Sequence, residues 1–251
     1  MLTPDLELAQ RFLHAHPPPG EALLVGVTGA HAYGFPSPDS DLDLKGIHLA
    51  PARQLLGLHP DTPAHDLTVV FDGVECDLTT NEAAGALRLL LRGNGNMAER
   101  ILSPIQVIGG PDLADLQRLA RGAISRRFAK HYAGFFQGCC REHERNATAK
   151  SMLYSYRVAA TGTWLLRTGE VVCDLTDLAP ELGLEGIDEL IAVKQAAEHS
   201  ALPADLDRLH RARWSELRAM MEHAEASTSL PVAPANDTEV DDWLVQRRGF
   251  G

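Results

Sequence analysis

Cysteine is scarce in this chain. Cys76, Cys139, Cys140 and Cys173 are the four among 251 residues, with no C-x-x-C and no zinc-type spacing. Adjacent Cys139 and Cys140 suit neither an easy disulfide nor a pair of metal ligands. A disulfide-stapled framework is therefore excluded, and reduced thiols of a cytoplasmic protein are expected. Positive charge is also short. The 23 Lys and Arg stand against 34 Asp and Glu, a formal net charge of −11. That argues against a protein that coats duplex nucleic acid with clustered cations, and leaves room for a small basic patch or an acidic metal site. No apolar run approaches the roughly 20 residues that span a bilayer. The opening MLTPDLELAQRF has no basic stretch followed by an apolar one, so no secretory leader and no membrane association are expected.

What is present is ordinary globular composition, 45% hydrophobic and 23% charged, at a length that allows one large domain or two smaller ones. Residues 4–14 carry Leu6, Leu8, Phe12 and Leu13 as a short helix, stopped by the Pro-rich run at 17–20. Residues 22–27 read as a buried strand, followed by a turn at Thr28-Gly29-Ala30 and a turn-rich stretch at 33–40. Asp41 to Leu49 alternates with period two, a strand with one wet and one buried face. Strands at 68–71 and 74–79 flank Asp72-Gly73, the pair that favours a type I′ hairpin turn. After Asn81, a plausible N-cap, the period becomes 3.6 and Ala83, Leu87, Leu90 and Leu91 form one stripe that ends at Gly93-Asn94-Gly95. From Pro111 to about Glu225 nearly everything is helical, with segments near 112–121, 123–145, 148–168, 185–199 and 203–225. A short final helix contains Trp243. The expected organisation is a mixed α/β part at 1–110 and an all-helical part at 111–251.

The informative stretch runs from Gly29 to Asp43, GAHAYGFPSPDSDLD. A glycine after a buried strand lets backbone N–H groups approach an anion. Asp41 and Asp43 point to one strand face, because strand side chains repeat every two residues. Paired carboxylates repel unless a cation lies between them, and hard oxygen donors suit Mg²⁺ or Mn²⁺. The next hairpin adds Glu75 and Asp77, again two apart. A third carboxylate from a neighbouring strand completes a two-metal site of the kind that clamps the oxygens of an in-line phosphoryl displacement. Lone Asp-x-Asp pairs are usually solvated strand faces; the ordered combination is what carries information.

These residues resemble the DNA polymerase β-like nucleotidyltransferase superfamily, in Val27-Thr28-Gly29-Ala30 followed by Asp41-Leu42-Asp43. The wording is similar to a bacterial branch associated with RNA-repair gene clusters. Gly29-x-x-Ala32-Tyr33-Gly34, Ser40-Asp41-x-Asp43-x-Lys45-Gly46, Asn94-x-Asn96-x-x-Glu99 and Leu153-Tyr154-x-Tyr156-Arg157 carry that likeness. It covers roughly 22–175. The resemblance implies an α+β fold: a small mixed sheet with flanking helices, then an all-helical C-terminal domain. It also implies transfer of a nucleoside monophosphate from an NTP to a hydroxyl, with two Mg²⁺ or Mn²⁺ ions. Ala30 stands where the family commonly has Ser, which keeps a backbone donor and loses a hydroxyl worth about 1.5–3 kcal/mol against a charged group.

With the resemblance, Asp41, Asp43 and Asp77 are the expected catalytic and metal-binding residues, with Glu75 in reserve for Asp77. Gly29, Ala30 and Ser40 are expected at phosphates, Ser40 alternatively as a turn support. Lys45 shares the face of Asp41 and Asp43, as a phosphate contact or a plain ion pair. Lys150, Tyr154, Arg157 and Thr161 are spaced for one helix face, which suits a clamp on a triphosphate or a solvated basic surface. His31 lies in the phosphate loop, and His143, beside Glu142 and Glu144, reads as a surface residue. The acceptor implied by the branch is an RNA 3′ end. A protein side chain, a small molecule, or a non-catalytic nucleotide-binding or antitoxin-like module are the alternatives.

Overall fold

Period-two alternation builds one half of this protein and period 3.6 the other. The computed structural model describes residues 3–56, 58, 64–196 and 201–249. Among them the order is α1 (Leu6–Ala15), β1 (Glu21–Val27), α2 (Gly29–Ala32), β2 (Leu42–Leu49), α3 (Ala52–Leu56), β3 (Ala64–Phe71), β4 (Val74–Glu82), α4 (Ala83–Leu91), α5 (Gly95–Leu102), β5 (Gln106–Gly109) and α6 (Leu113–Ala123). Then come α7 (Phe128–Asn146), α8 (Ala149–Thr168), α9 (Leu175–Leu182), α10 (Ile187–Ala196), α11 (Ala204–Ala212), α12 (Trp214–Ser227) and α13 (Asp237–Arg247). The α+β class and the small mixed sheet with helices after it match the expectation.

The contacts group the chain into two compact units. The sheet unit holds Thr3–Gly29, Asp41–Ala123 and the residues from Ala233 on; the helical unit holds Ala30–Ser40 and Ile124–Val232. This grouping differs from a single cut at 110/111. Helix α13 goes with the sheet unit because Arg247 pairs with Asp112 at 2.9 Å, Arg248 pairs with Glu82, and the Asn236 amide donates to the Leu119 carbonyl at 2.9 Å.

In the sheet unit the strand order is β3-β4-β2-β1-β5. β1 is antiparallel to β2 and β5, β3 is antiparallel to β4, and β2 runs parallel to β4. Leu42, Leu44, Cys76 and Leu78 point to one face and bury against Leu8, Ala9, Phe12 and Leu13 of α1. The alternation then sends Asp43, Lys45, Asp77 and Thr79 to the opposite face. The Asp72-Gly73 turn has φ of 49° and 84°, as type I′ requires.

Several local expectations need correction. Asn81 is not the N-cap of α4. It lies in β4, where its side-chain oxygen accepts from Arg100 at 2.6 Å, and Glu82 caps the helix through Ala84 N at 2.8 Å. Thr28-Gly29-Ala30 opens the short helix α2 and is not a bare turn. The 203–225 helix is two, broken at Arg213. Helix α9, with Pro180 inside it, lies outside the expected helical ranges. The expected end of the 185–199 helix at 197–199 lies outside the described residues.

In the helical unit, α8 is buried along nearly its whole length. Its Tyr156 hydroxyl pairs with His210 Nδ1 at 2.8 Å. Burial pushes His210 down to about 4 from 6.5, with the charge of Arg213 and then of His143 adding to the shift. The folded value lies below the unfolded one, so the unfolded chain takes up the extra proton as pH falls through about 6.5. The stabilisation is full above that pH and lost toward 4. The urea midpoint should therefore fall on going from about pH 7 to about pH 4.5, and His210→Gln should flatten that dependence. A His210→Gln profile as steep as the wild type's would refute the assignment.

Candidate active site

The parallel register of β2 and β4 sets Asp43 opposite Asp77 and Lys45 opposite Thr79. Residues paired across neighbouring strands share a face, so both carboxylates lie on the face away from α1. Lys45 resolves part of their repulsion. Its ammonium lies 2.8 Å from Asp77 Oδ2 and 2.9 Å from Thr79 Oγ1. Thr68 donates to the other Asp77 oxygen at 3.2 Å. Asp41 immediately precedes β2 and is half-buried. After burial, its charge helps push the Cys76 thiol up. Glu75 is exposed on the same face as Asp77.

Gly29 is where the chain must be glycine. Its φ is +65°, and a Cβ there would sit 1.8 Å from Asp43 Oδ2. The Thr28 amide donates to the Asp43 carbonyl at 2.9 Å. So the turn after β1 is pressed against the Asp43 carboxylate. Ala30 is buried and its carbonyl accepts from Phe35 N at 3.2 Å.

Ser40 closes the turn before Asp41. Its Oγ accepts from Ser37 N at 2.9 Å, and its own N–H donates to the Ser37 carbonyl at 3.1 Å. The fully buried Lys194 donates to Ser37 Oγ at 2.8 Å and to Ser40 Oγ at 3.1 Å. Lys194 went unread in the sequence, although a signal was present. It falls on the stripe Ile187, Leu190, Ile191, Lys194, where a lysine on an apolar face marks a buried cation.

The four residues expected on one face of α8 divide. Lys150 and Tyr154 line one cavity of the helical unit. Arg157 is fully buried, its guanidinium 4.1 Å from the Tyr33 ring centroid and 5.4 Å from that of Phe135, and Thr161 is fully buried too. Neither belongs to a solvated basic surface. His143 is likewise no surface residue. It continues the stripe Tyr132, Phe136, Cys139, Cys140 of α7 and is fully buried. Its Nδ1 pairs with Ser151 Oγ at 2.7 Å and its Nε2 with Asp207 at 2.6 Å. Burial raises the Asp207 carboxyl, but the bonds from His143 and Arg211 outweigh this and hold it below the usual range.

A hard divalent ion fits the donor chemistry on the sheet. Among the described residues no three His, Cys, Asp or Glu side chains form a ready cage for a metal. Mg²⁺ seldom needs one: it is commonly held by one or two carboxylates together with substrate phosphates. Asp43 on the open face and Asp41 just before β2 are carboxylates of that donor type. Asp77 already has the Lys45 ammonium on one oxygen.

Residues 9–246 match the family described as the RNA repair pathway DNA polymerase beta family, RlaP. The chain belongs to this family. Nucleotidyl transfer is the chemistry that membership supports. Two relatives carry the likeness further. Uncharacterized protein YcgL of Bacillus subtilis is 25% identical over 79% of each chain. Uncharacterized protein MJ0002 of Methanocaldococcus jannaschii is 27% identical over 61% of this chain, and the match spans 64% of the archaeal protein. A crystal structure of a nucleotidyltransferase-like protein from Exiguobacterium sibiricum aligns over 88% of this chain and 74% of its own, at 12% identity and a TM-score of 0.34. Among the described residues no helix is long and apolar enough to cross a membrane.

Gly29→Ala tests the close approach to Asp43. It should lower stability by about 1–3 kcal/mol in urea unfolding, from the positive φ and the carboxylate it displaces. Gly73→Ala, also at positive φ but with open space around it, should cost less.

Proposed function

We propose that this chain transfers a nucleoside monophosphate from an NTP to the 3′ hydroxyl of a single-stranded RNA, releasing pyrophosphate, with Mg²⁺ or Mn²⁺. The observation that carries the reading is the register of β2 with β4, which puts Asp43 beside Asp77 and follows directly on Asp41. Family membership supports the transfer step. The metal, the third carboxylate and the RNA acceptor are our own reading.

Asp41 and Asp43 would hold the ion that accompanies the triphosphate. Such an ion neutralises phosphate charge and orients an in-line displacement. Asp77 would accept the proton of the attacking hydroxyl or hold a second ion, and in either role it must part from the Lys45 ammonium. Lys45 would then reach a phosphate oxygen. The backbone N–H groups at Gly29 and Ala30 would face the triphosphate, with Ala30 giving no hydroxyl. Ser40 and Lys194 would fix the turn that delivers Asp41. The oxygen of the RNA 3′ hydroxyl bonds to the α-phosphorus, the bond from that phosphorus to the bridging oxygen breaks, and pyrophosphate leaves. An acidic protein needs only a few cationic contacts to hold one strand end.

The test uses each α-labelled NTP with Mg²⁺ or Mn²⁺, a short RNA with an open 3′ end and a matched RNA with a blocked one. Label should appear on the open RNA alone. Asp41→Asn and Asp43→Asn should lower the rate roughly a hundredfold or more with the fold intact by circular dichroism. Label on the protein or on a lysate component would replace the RNA acceptor. Undiminished transfer in both variants would remove the proposed centre.

A further inference from the structure

The helical unit contains a cavity of about 590 Å³ lined by Phe135, Cys139, Glu142, Lys150, Ser151 and Tyr154, among others. That is well inside the 300–1,000 Å³ common for small-molecule sites. Its make-up is specific. Tyr154 is held edge-on by Tyr33 and Phe35, at centroid distances of 5.7 Å each. Phe135 is held by His131 at 5.8 Å, with the Arg157 guanidinium over its ring. Two aromatic side chains thus line the cavity in orientations fixed by their neighbours. Cys139 is a neutral wall, because burial pushes its thiol up to about 11. Ser151 is fixed by Thr148 and by His143, which is itself braced by Asp207. Lys150 brings the positive charge. Glu142 brings a carboxylate, bound by Arg145 at 2.7 Å and by the Asn146 amide.

We propose that this cavity binds a single nucleotide of the acceptor strand, its base against Phe135 and Tyr154 and its phosphate at Lys150. Aromatic side chains take any base, because every base has a π face. Glu142 and Asn146 offer polar partners to a base or sugar edge. The charges select a monophosphate unit over an NTP. One ammonium suits one phosphate group and the Glu142 carboxylate opposes further negative charge, whereas a triphosphate needs a divalent ion or several cations. The naming of the ligand as an acceptor nucleotide rests on the transfer reading. The binding itself uses none of Asp41, Asp43 or Asp77 and needs no metal.

The full chain is titrated with AMP, adenosine, ATP and a five-nucleotide oligoadenylate in excess EDTA, by calorimetry. AMP and the oligonucleotide should bind, and adenosine more weakly. Lys150→Gln should weaken AMP about tenfold and adenosine little; Phe135→Leu should weaken both. Asp43→Asn should abolish transfer and leave EDTA binding unchanged, which separates this site from the transfer centre. Absence of AMP binding in EDTA overturns the proposal whether or not transfer is found. So does AMP binding that Lys150→Gln leaves intact, or ATP binding more than tenfold tighter than AMP. AMP binding with the expected losses in an inactive wild-type protein upholds the cavity and overturns only the transfer reading. Should Phe135→Leu fail to fold, the Lys150→Gln comparison decides.

Discussion

Two carboxylates that face each other across a strand pair repel, and the sheet unit is organised around that constraint. The parallel register of β2 and β4 brings Asp43 and Asp77 together and leaves no freedom to separate them. Lys45, two residues along, sends its ammonium to Asp77 and relieves one side. On the other side the turn at Gly29 is pressed so close that no side chain fits beside the Asp43 carboxylate. Moving β2 by one residue would send Asp43 and Lys45 into the apolar layer with Leu8 and Phe12. The buried partners Leu42 and Leu44 thus fix the polar face by fixing the register.

The segment 30–40 carries the second constraint. The chain leaves the sheet unit after Gly29 and returns at Asp41, and between these points it is anchored inside the helical unit. Tyr33 accepts from Leu175 N through its carbonyl, Gly34 leaves room for the Asp174 carboxylate, and Lys194 ties Ser37 to Ser40. This gives a physical account of the motif's glycine and serine that does not need a ligand. A fully buried lysine is costly unless its hydrogen bonds are made, so α10 and this turn must form together.

Much of this was legible in the residues. The strands, the Asp72-Gly73 turn, the long helices and the acidic face follow from periodicity, because alternation and the 3.6 repeat record which face is buried. The misreadings were of another kind. Asn81 and Glu82 are adjacent and both able to cap a helix; only the position of Arg100 decides that Asn81 is occupied elsewhere. His143, flanked by two glutamates, looked exposed because its neighbours in sequence are charged, while its neighbours in space, Ser151 and Asp207, come from other helices. Arg157, spaced from Lys150 for one helix face, reads as a triphosphate clamp or as part of a solvated basic surface; the burial of α8 on nearly every side removes the second option.

By itself, the sequence determined the class of fold, the alternation that puts Asp43 and Lys45 on one face of β2, and the likeness to a nucleotidyltransferase family. These depend on spacing along one strand or helix, where geometry is fixed by the backbone repeat. Tertiary structure alone decided that Lys45 binds Asp77, that Lys194 holds the turn before Asp41, and that Lys150 and Tyr154 line a cavity while Arg157 packs between rings. Each of those depends on which distant segment fills the space beside a side chain, and a local repeat carries no record of that.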